Sequence, residues 1–230
     1  TFFAWPRYYH WYFNQVMRYG IGDVTHSSGT QDHFNQWMWQ RLLWSPQHSV
    51  EDVMAEYTRT WFGPEAAPLM AEAIFQLEDN LVEKPGVPIT KKTGIERCYR
   101  LVQQAGAKMP AALRKQNWLW REYMQKAALD RRIQLSVQQQ TRLQERIEQA
   151  VARSGSDATI ERALSWLGEL RETTEMARLR KEAERLGEES NLRWTRSRSR
   201  RLEPGRIGGV DFCSTYHSQP ARSDYEDVID

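Results

Sequence analysis

The chain has 230 residues, 40% of them hydrophobic, with 32 Lys and Arg against 30 Asp and Glu and only two cysteines. That length suits one large or two small domains. Cys98 and Cys213 are too few and too far apart for a disulfide framework or a zinc site, and no run of about eighteen apolar residues is present to form a transmembrane helix. The net charge of +2 hides a division, because residues 1–80 hold four Lys/Arg against nine Asp/Glu, and six of the ten Trp fall in the first 62 residues. An acidic, aromatic front therefore precedes a basic back.

Taken in order, the apolar run Phe2–Trp5 predicts a short strand or extended segment. Beyond Pro6, the positions of Tyr9, Phe13, Val16 and Met17 predict a helix that Gly20 stops. Ile21–Val24 reads as a second short strand leading into the polar loop DVTHSSGTQDH at 23–33. Thr30 or Asp32 is placed to cap a helix starting near Phe34, whose inward face is Phe34, Trp37, Met38, Arg41 and Leu42. Ser49 with Asp52 forms a capping box for the next helix, striped by Val50, Val53, Met54, Tyr57 and Trp61. Gly63-Pro64 ends it and begins another, carrying Leu69, Met70, Ala73, Ile74, Leu77 and Leu81.

The turn-rich stretch EKPGVPITKKTG at 83–94 marks a boundary. Thr93 with Glu96 opens a helix to Met109 with Ile95, Tyr99 and Val102 inward. Pro110 then begins a long helical stretch to about Arg153, which if unbroken spans about 65 Å at 1.5 Å per residue. Ser154-Gly155-Ser156 reverses the chain into one partner helix from Ala158 to Leu186, which predicts a long antiparallel helical hairpin. From Ser190 the chain is rich in Arg, Ser, Gly and Pro and reads as an irregular basic tail, with a short strand near Val210–Phe212. The organisation expected is 1–82, 83–189 and 190–230.

The candidate chemistry lies in the 23–33 loop, where Asp23, His26, Asp32 and His33 cluster; an oriented Asp–His pair can do acid–base work. Asp23 and His26 are the candidate substrate contacts, while Asp32 reads as a cap and His33 as a first-turn residue that packs locally. The aromatic set Trp5, Tyr8, Trp11, Trp37, Trp39 and Trp44 invites a carbohydrate partner, since ring faces stack on the apolar faces of sugars. Helical spacing assigns Trp37, Trp44 and Trp61 to the core; Trp5 and Trp39 are the candidate sugar contacts. No spacing calls for a metal or a cofactor, and the catalytic residues are not identifiable. RWTRSRSRR at 193–201 is cationic but lies in no nucleic-acid-binding module, so it reads as a solvated run.

Residues 8–82, through YGIGDVTHSSGTQDHFNQWMWQRLLWSP and SVEDVMAEYTRTWFGPEAAPLM, resemble the end of the catalytic barrel and the following helices of bacterial glycoside-hydrolase-like proteins. These are α-glucuronidase and β-hexosaminidase-like relatives. The resemblance implies a mainly α chain in which the end of a (β/α) barrel precedes a helical domain. It implies Asp23 to Thr30 at the rim of a sugar pocket, catalytic carboxylates on earlier strands, and an extracytoplasmic location. An opening without Met or a signal segment leads to the expectation of a longer parent protein. On this reading the chain alone is catalytically silent; the alternative is an autonomous helical interaction module in which the hairpin binds a partner and the loop histidines are incidental.

Overall fold

The computed structural model describes residues 4–23, 33–81 and 89–189, and these are mainly α-helical with no strand among them. The helices are α1 (Pro6–Val16), α2 (His33–Trp44), α3 (Val50–Phe62), α4 (Ala67–Leu81), α5 (Thr93–Lys108), α6 (Ala111–Gln116), α7 (Trp118–Arg153), α8 (Asp157–Leu167) and α9 (Thr174–Glu189). Two compact units divide the chain. One comprises Thr1–Pro85 with Thr93–Ala127, the other Gly86–Lys92 with Ala128–Asp230.

The first unit is built from local signals that the sequence carries openly. Pro6 opens α1, which tightens into a 3-10 turn at Met17–Tyr19 before Gly20. Ser49 and Asp52 form the reciprocal capping box of α3, and Gly63 ends that helix at φ 83°, a conformation that L side chains rarely adopt. Pro64 lies in a turn rather than in the next helix, which starts at Ala67 with its amide bonded to the Gly63 carbonyl. Ala4 and Trp5 are not in a strand, and neither are Ile21, Gly22 and Asp23. The remaining residues of those two expected strands lie outside the described ones.

In this unit α1 packs on α2, α3 on α4 and α4 along α5. Met38, Leu42, Val53, Tyr57, Phe62, Met70, Ile74, Leu77, Ile95 and Val102 close the core. Trp44 is the exception to the expected core tryptophans: it is 87% exposed as the last residue of α2. Cys98 is buried, its thiol directed at the Ala73 carbonyl.

The long helix expected from Pro110 is broken at Asn117. The Asn117 side chain accepts from the Trp120 amide at 2.7 Å and donates to the Trp61 carbonyl, which makes it an N-cap and starts α7 afresh at Trp118. In α5, Gly106 faces Trp120, whose indole donates to the Val102 carbonyl at 3.1 Å. A Cβ added at Gly106 would lie 2.4 Å from Trp120 Cζ2. Gly106→Ala is therefore expected to lose about 1–3 kcal/mol of stability although Ala is the better helix former by about 1 kcal/mol, because the anchored indole cannot yield without breaking its hydrogen bond. Urea unfolding of the variant measures the balance.

In the second unit, Gln134 and Gln138 of α7 donate to the carbonyls of Lys92 and Thr90, both at 2.7 Å, and so hold the 3-10 turn Ile89–Lys91 to the helix. The single partner helix expected from Ala158 to Leu186 is two helices. Backbone bonds at Gly168–Leu170 close a turn, and the Thr173 hydroxyl then accepts from the Met176 amide to start α9. Arg132, almost fully buried, pairs with Glu172 at 3.3 Å, and Arg180 pairs with the same carboxylate at 3.1 Å. Burial pushes the Glu172 carboxyl up, but the two guanidinium groups outweigh it and hold it below the usual carboxylate range. Met176, Leu179, Ala183 and Leu186 form the inward face of α9.

Candidate functional site

Two side-chain groups of the first unit border residues 24–32 in sequence, one before them and one after. Before them, Asp23 Oδ2 accepts from Trp39 Nε1 at 2.9 Å. Trp39 is only 7% exposed, and its ring meets Phe13 edge to face at 5.2 Å, with Tyr9 at 6.3 Å and Tyr12 at 5.9 Å. Helical spacing explains this placement, since Trp39 joins Phe34, Asn35, Met38 and Leu42 on the buried side of α2. Trp39 thus ties α1 to Asp23, its indole N–H on the carboxylate and its ring among Phe13, Tyr9 and Tyr12.

The stacking faces open to solvent belong to α1. Tyr8 and Tyr12, one turn apart, have rings within 3° of parallel at 6.1 Å, and Trp11, 56% exposed, lies 5.9 Å from Tyr8 at a tilt of 39°. Trp5 is half-buried and supports this patch from beneath, its ring edge-on to Tyr8 at 5.2 Å and its amide bonded to Asn35 Oδ1. Of the four expected contacts, Asp23, Trp5 and Trp39 thus meet in one neighbourhood. His26 lies outside the described residues, as do Thr30 and Asp32.

The second group is built on His33, the first residue of α2. Its Nδ1 lies 3.0 Å from the Tyr57 hydroxyl, and its ring is edge to face with Trp61 at 4.9 Å and Trp118 at 5.5 Å. The Tyr57 hydroxyl is in turn hydrogen-bonded to Tyr123, beside Glu122. Burial pushes both phenols well above their ordinary value; Tyr123 and the Glu122 carboxylate raise Tyr57 further, whereas for Tyr123 the hydrogen bond with Tyr57 opposes the rise without cancelling it, so both stay protonated across the physiological range. A single Tyr57 proton serves one neighbour; when it goes to Tyr123, His33 must donate through Nδ1–H, which fixes the imidazole tautomer.

The sequence identifies His33 as a first-turn residue and Tyr57 and Tyr123 as inward, but not their connection. The available signal is that a buried phenol requires a hydrogen-bond partner; which partner depends on three helices meeting. Glu78 is the carboxyl that most resembles a raised-pKa acid, because burial lifts it above the usual range despite the Arg7 and Tyr8 amides. Both of its oxygens are occupied by α1, however, with Oε1 accepting from the Arg7 and Tyr8 amides and Oε2 from Arg7 Nη1. Its chemistry is structural. Among the described residues no three His, Cys, Asp or Glu side chains are grouped to hold a metal ion, and no helix is long and apolar enough to cross a membrane.

In the second unit, Gln139, Arg142, Leu143, Arg146, Glu169 and Leu170 line an open cleft of about 210 Å³. Arg146 there is held by Glu169 at 2.7 Å and lies 3.9 Å over the Trp166 ring.

Residues 6–74, spanning α1 to the middle of α4, match the model of a family described as a domain of unknown function, DUF4838. No curated protein and no solved structure matches the chain.

Proposed function

We propose that this chain is part of a carbohydrate-active, glycoside-hydrolase-like protein, in which the first unit contacts an oligo- or polysaccharide and the helices after it form an accessory domain. The observation that carries the reading is the solvent-facing set Tyr8, Trp11 and Tyr12 on one face of α1, tied through Trp39 to Asp23. Flat rings offer sugars an apolar stacking surface, and a neighbouring carboxylate accepts their hydroxyls. The flank of this face is polar, with Asn14, Gln15 and Arg18 exposed or half-exposed, where an aliphatic rim would suit a protein helix.

In this proposal α1, the loop and α2 form the end of a (β/α) barrel whose catalytic carboxylates belong to a larger parent. From Arg131 onward α7 forms an antiparallel helical hairpin with α8 and α9. Ion pairs from Arg131 to Glu175, Arg132 to Glu172 and Arg146 to Glu169 support that pairing, because later residues of α7 meet earlier residues of the returning segment. Glycoside hydrolysis needs two carboxyl groups across the bond, and Glu78, one of the buried carboxyls among the described residues, is committed to α1.

Titration with neutral and uronic-acid-containing oligosaccharides, followed by tryptophan fluorescence, tests the reading. Binding by the chain is expected, and Trp11→Ala is expected to weaken it about tenfold, as loss of one stacking partner implies. Binding that ignores Trp11→Ala would remove the α1 face from the site. Absence of binding across the panel, or hydrolysis of aryl glycosides by this chain alone, would overturn the proposal.

A further inference from the structure

The cleft of the second unit is built mainly on one face of α7, where Gln139, Arg142, Leu143 and Arg146 follow one another at i, i+3, i+4 and i+7. Glu169 and Leu170, from the turn after α8, complete its lining. Its charges do not balance. Two guanidinium groups one helical turn apart share a single lining carboxylate: Arg146 takes Glu169 at 2.7 Å, while Arg142 has no hydrogen-bond or ion-pair partner among the described residues. Glu145, the acid closest to Arg142 in sequence, makes no ion pair with it and does not line the cleft. Like charges four residues apart on a helix repel. Arg146 is nevertheless held beside Arg142, because the Trp166 ring lies 3.9 Å from its guanidinium and Glu169 pairs with it.

We propose that this cleft binds a small free monocarboxylate with a compact apolar body. The carboxylate sits on Arg142, whose planar fork matches a pair of carboxylate oxygens. The body lies against Leu143, which is buried, and Leu170, which is partly exposed, and the Gln139 amide supplies a further hydrogen bond. The single unmatched positive charge selects a monoanion, since the Glu169 carboxylate in the wall repels the second charge of a phosphate dianion. The volume selects a small ligand: about 210 Å³ is less than the roughly 300–1,000 Å³ of sites that enclose drug-sized molecules. Because the cleft is open, a ligand the size of benzoate is held with a Kd of about 1–10 mM. This site uses none of the residues assigned to the carbohydrate face, which belongs to the other unit.

NMR titration of the full chain with benzoate, followed through the methyl groups of Leu143 and Leu170 and the indole of Trp166, tests this. Saturable shifts confined to the cleft are expected. Arg142→Gln is expected to weaken binding at least about tenfold, and Arg142→Lys, which keeps the charge and loses the fork, about threefold. Arg100→Gln should leave it unchanged, because Arg100 is an exposed arginine of α5 in the other unit. Benzamide, which has the body without the charge, and inorganic phosphate, which has charge without the body, should each bind at least about tenfold more weakly than benzoate. Shifts that do not saturate by about 50 mM benzoate would overturn the proposal, as would an Arg142→Gln variant that binds like the wild type. Equal weakening by Arg100→Gln, or benzamide or phosphate binding as well as benzoate, would overturn it too.

Discussion

Tyr57→Ala is expected to cost about 4 kcal/mol and Tyr57→Phe about 2 kcal/mol, the largest effects at any single position near the candidate site. Tyr57 is fully buried, and its ring meets Phe34 at 4.9 Å, Trp37 at 5.7 Å and Phe62 at 6.1 Å, so truncation opens a cavity among rings from α2 and α3. The Phe variant keeps that packing and removes only the hydroxyl, depriving His33 Nδ1 and the Tyr123 hydroxyl of a shared partner. Urea unfolding separates the two contributions, ring and hydroxyl. The alkaline limb gives a second reading. Because both phenols are raised in the folded state, the unfolded chain loses its protons first as pH climbs above about 10, and stability falls there. Tyr57→Phe removes one of the two groups and should make that fall shallower. An unchanged alkaline slope would mean that the Tyr57 hydroxyl ionises normally in the folded protein.

The boundary between what the sequence discloses and what it conceals follows the reach of each interaction. The Ser49–Asp52 box, the Gly63 stop and the inward stripe Val53, Met54 and Tyr57 are set by residues three or four apart, and all three are legible. Asn117 has equally local capping chemistry but sits within an apolar rhythm that continues on both sides, so periodicity bridges a break that the side chain makes. Thr173 restarts α9 in the same way after Gly168. Trp39 and Trp44 exchange their expected roles because α2 has more aromatic residues than one face can hold. Which of them is buried is settled by Phe13 of α1 arriving against Trp39. The His33–Tyr57–Tyr123 chain joins residues 24 and 66 positions apart, and no local pattern encodes it. Glu78 reads as one more polar residue late in an amphipathic helix.

Glu78→Ala is expected to cost about 3 kcal/mol at neutral pH, through the N-terminus of a helix 70 residues away. Trp5, the residue before α1, has no side-chain oxygen to cap it, and Pro6 has no amide to donate. The Arg7 and Tyr8 amides, each 3.0 Å from Glu78 Oε1, are the two donors left over, and the Tyr9 amide already bonds the Trp5 carbonyl at 2.9 Å. The carboxylate also lies at the positive end of the helix dipole and holds Arg7 Nη1 at 3.1 Å. Alanine leaves those amides without an acceptor and frees the start of α1, so Glu78→Ala should also weaken any ligand held by Tyr8 and Trp11. Glutamine keeps an oxygen for the two amides and loses only the charge, and about 1 kcal/mol is expected. Their pH dependence should differ as well. Burial raises the Glu78 carboxyl above 4.5, so the folded state takes up a proton before the unfolded state does, and this group adds stability as pH falls through that window. Glutamine cannot titrate, so the wild-type advantage over Glu78→Gln should widen from neutrality toward pH 4.5. A gap that narrows instead would show that the ion pair with Arg7 outweighs burial and holds the carboxyl ionised.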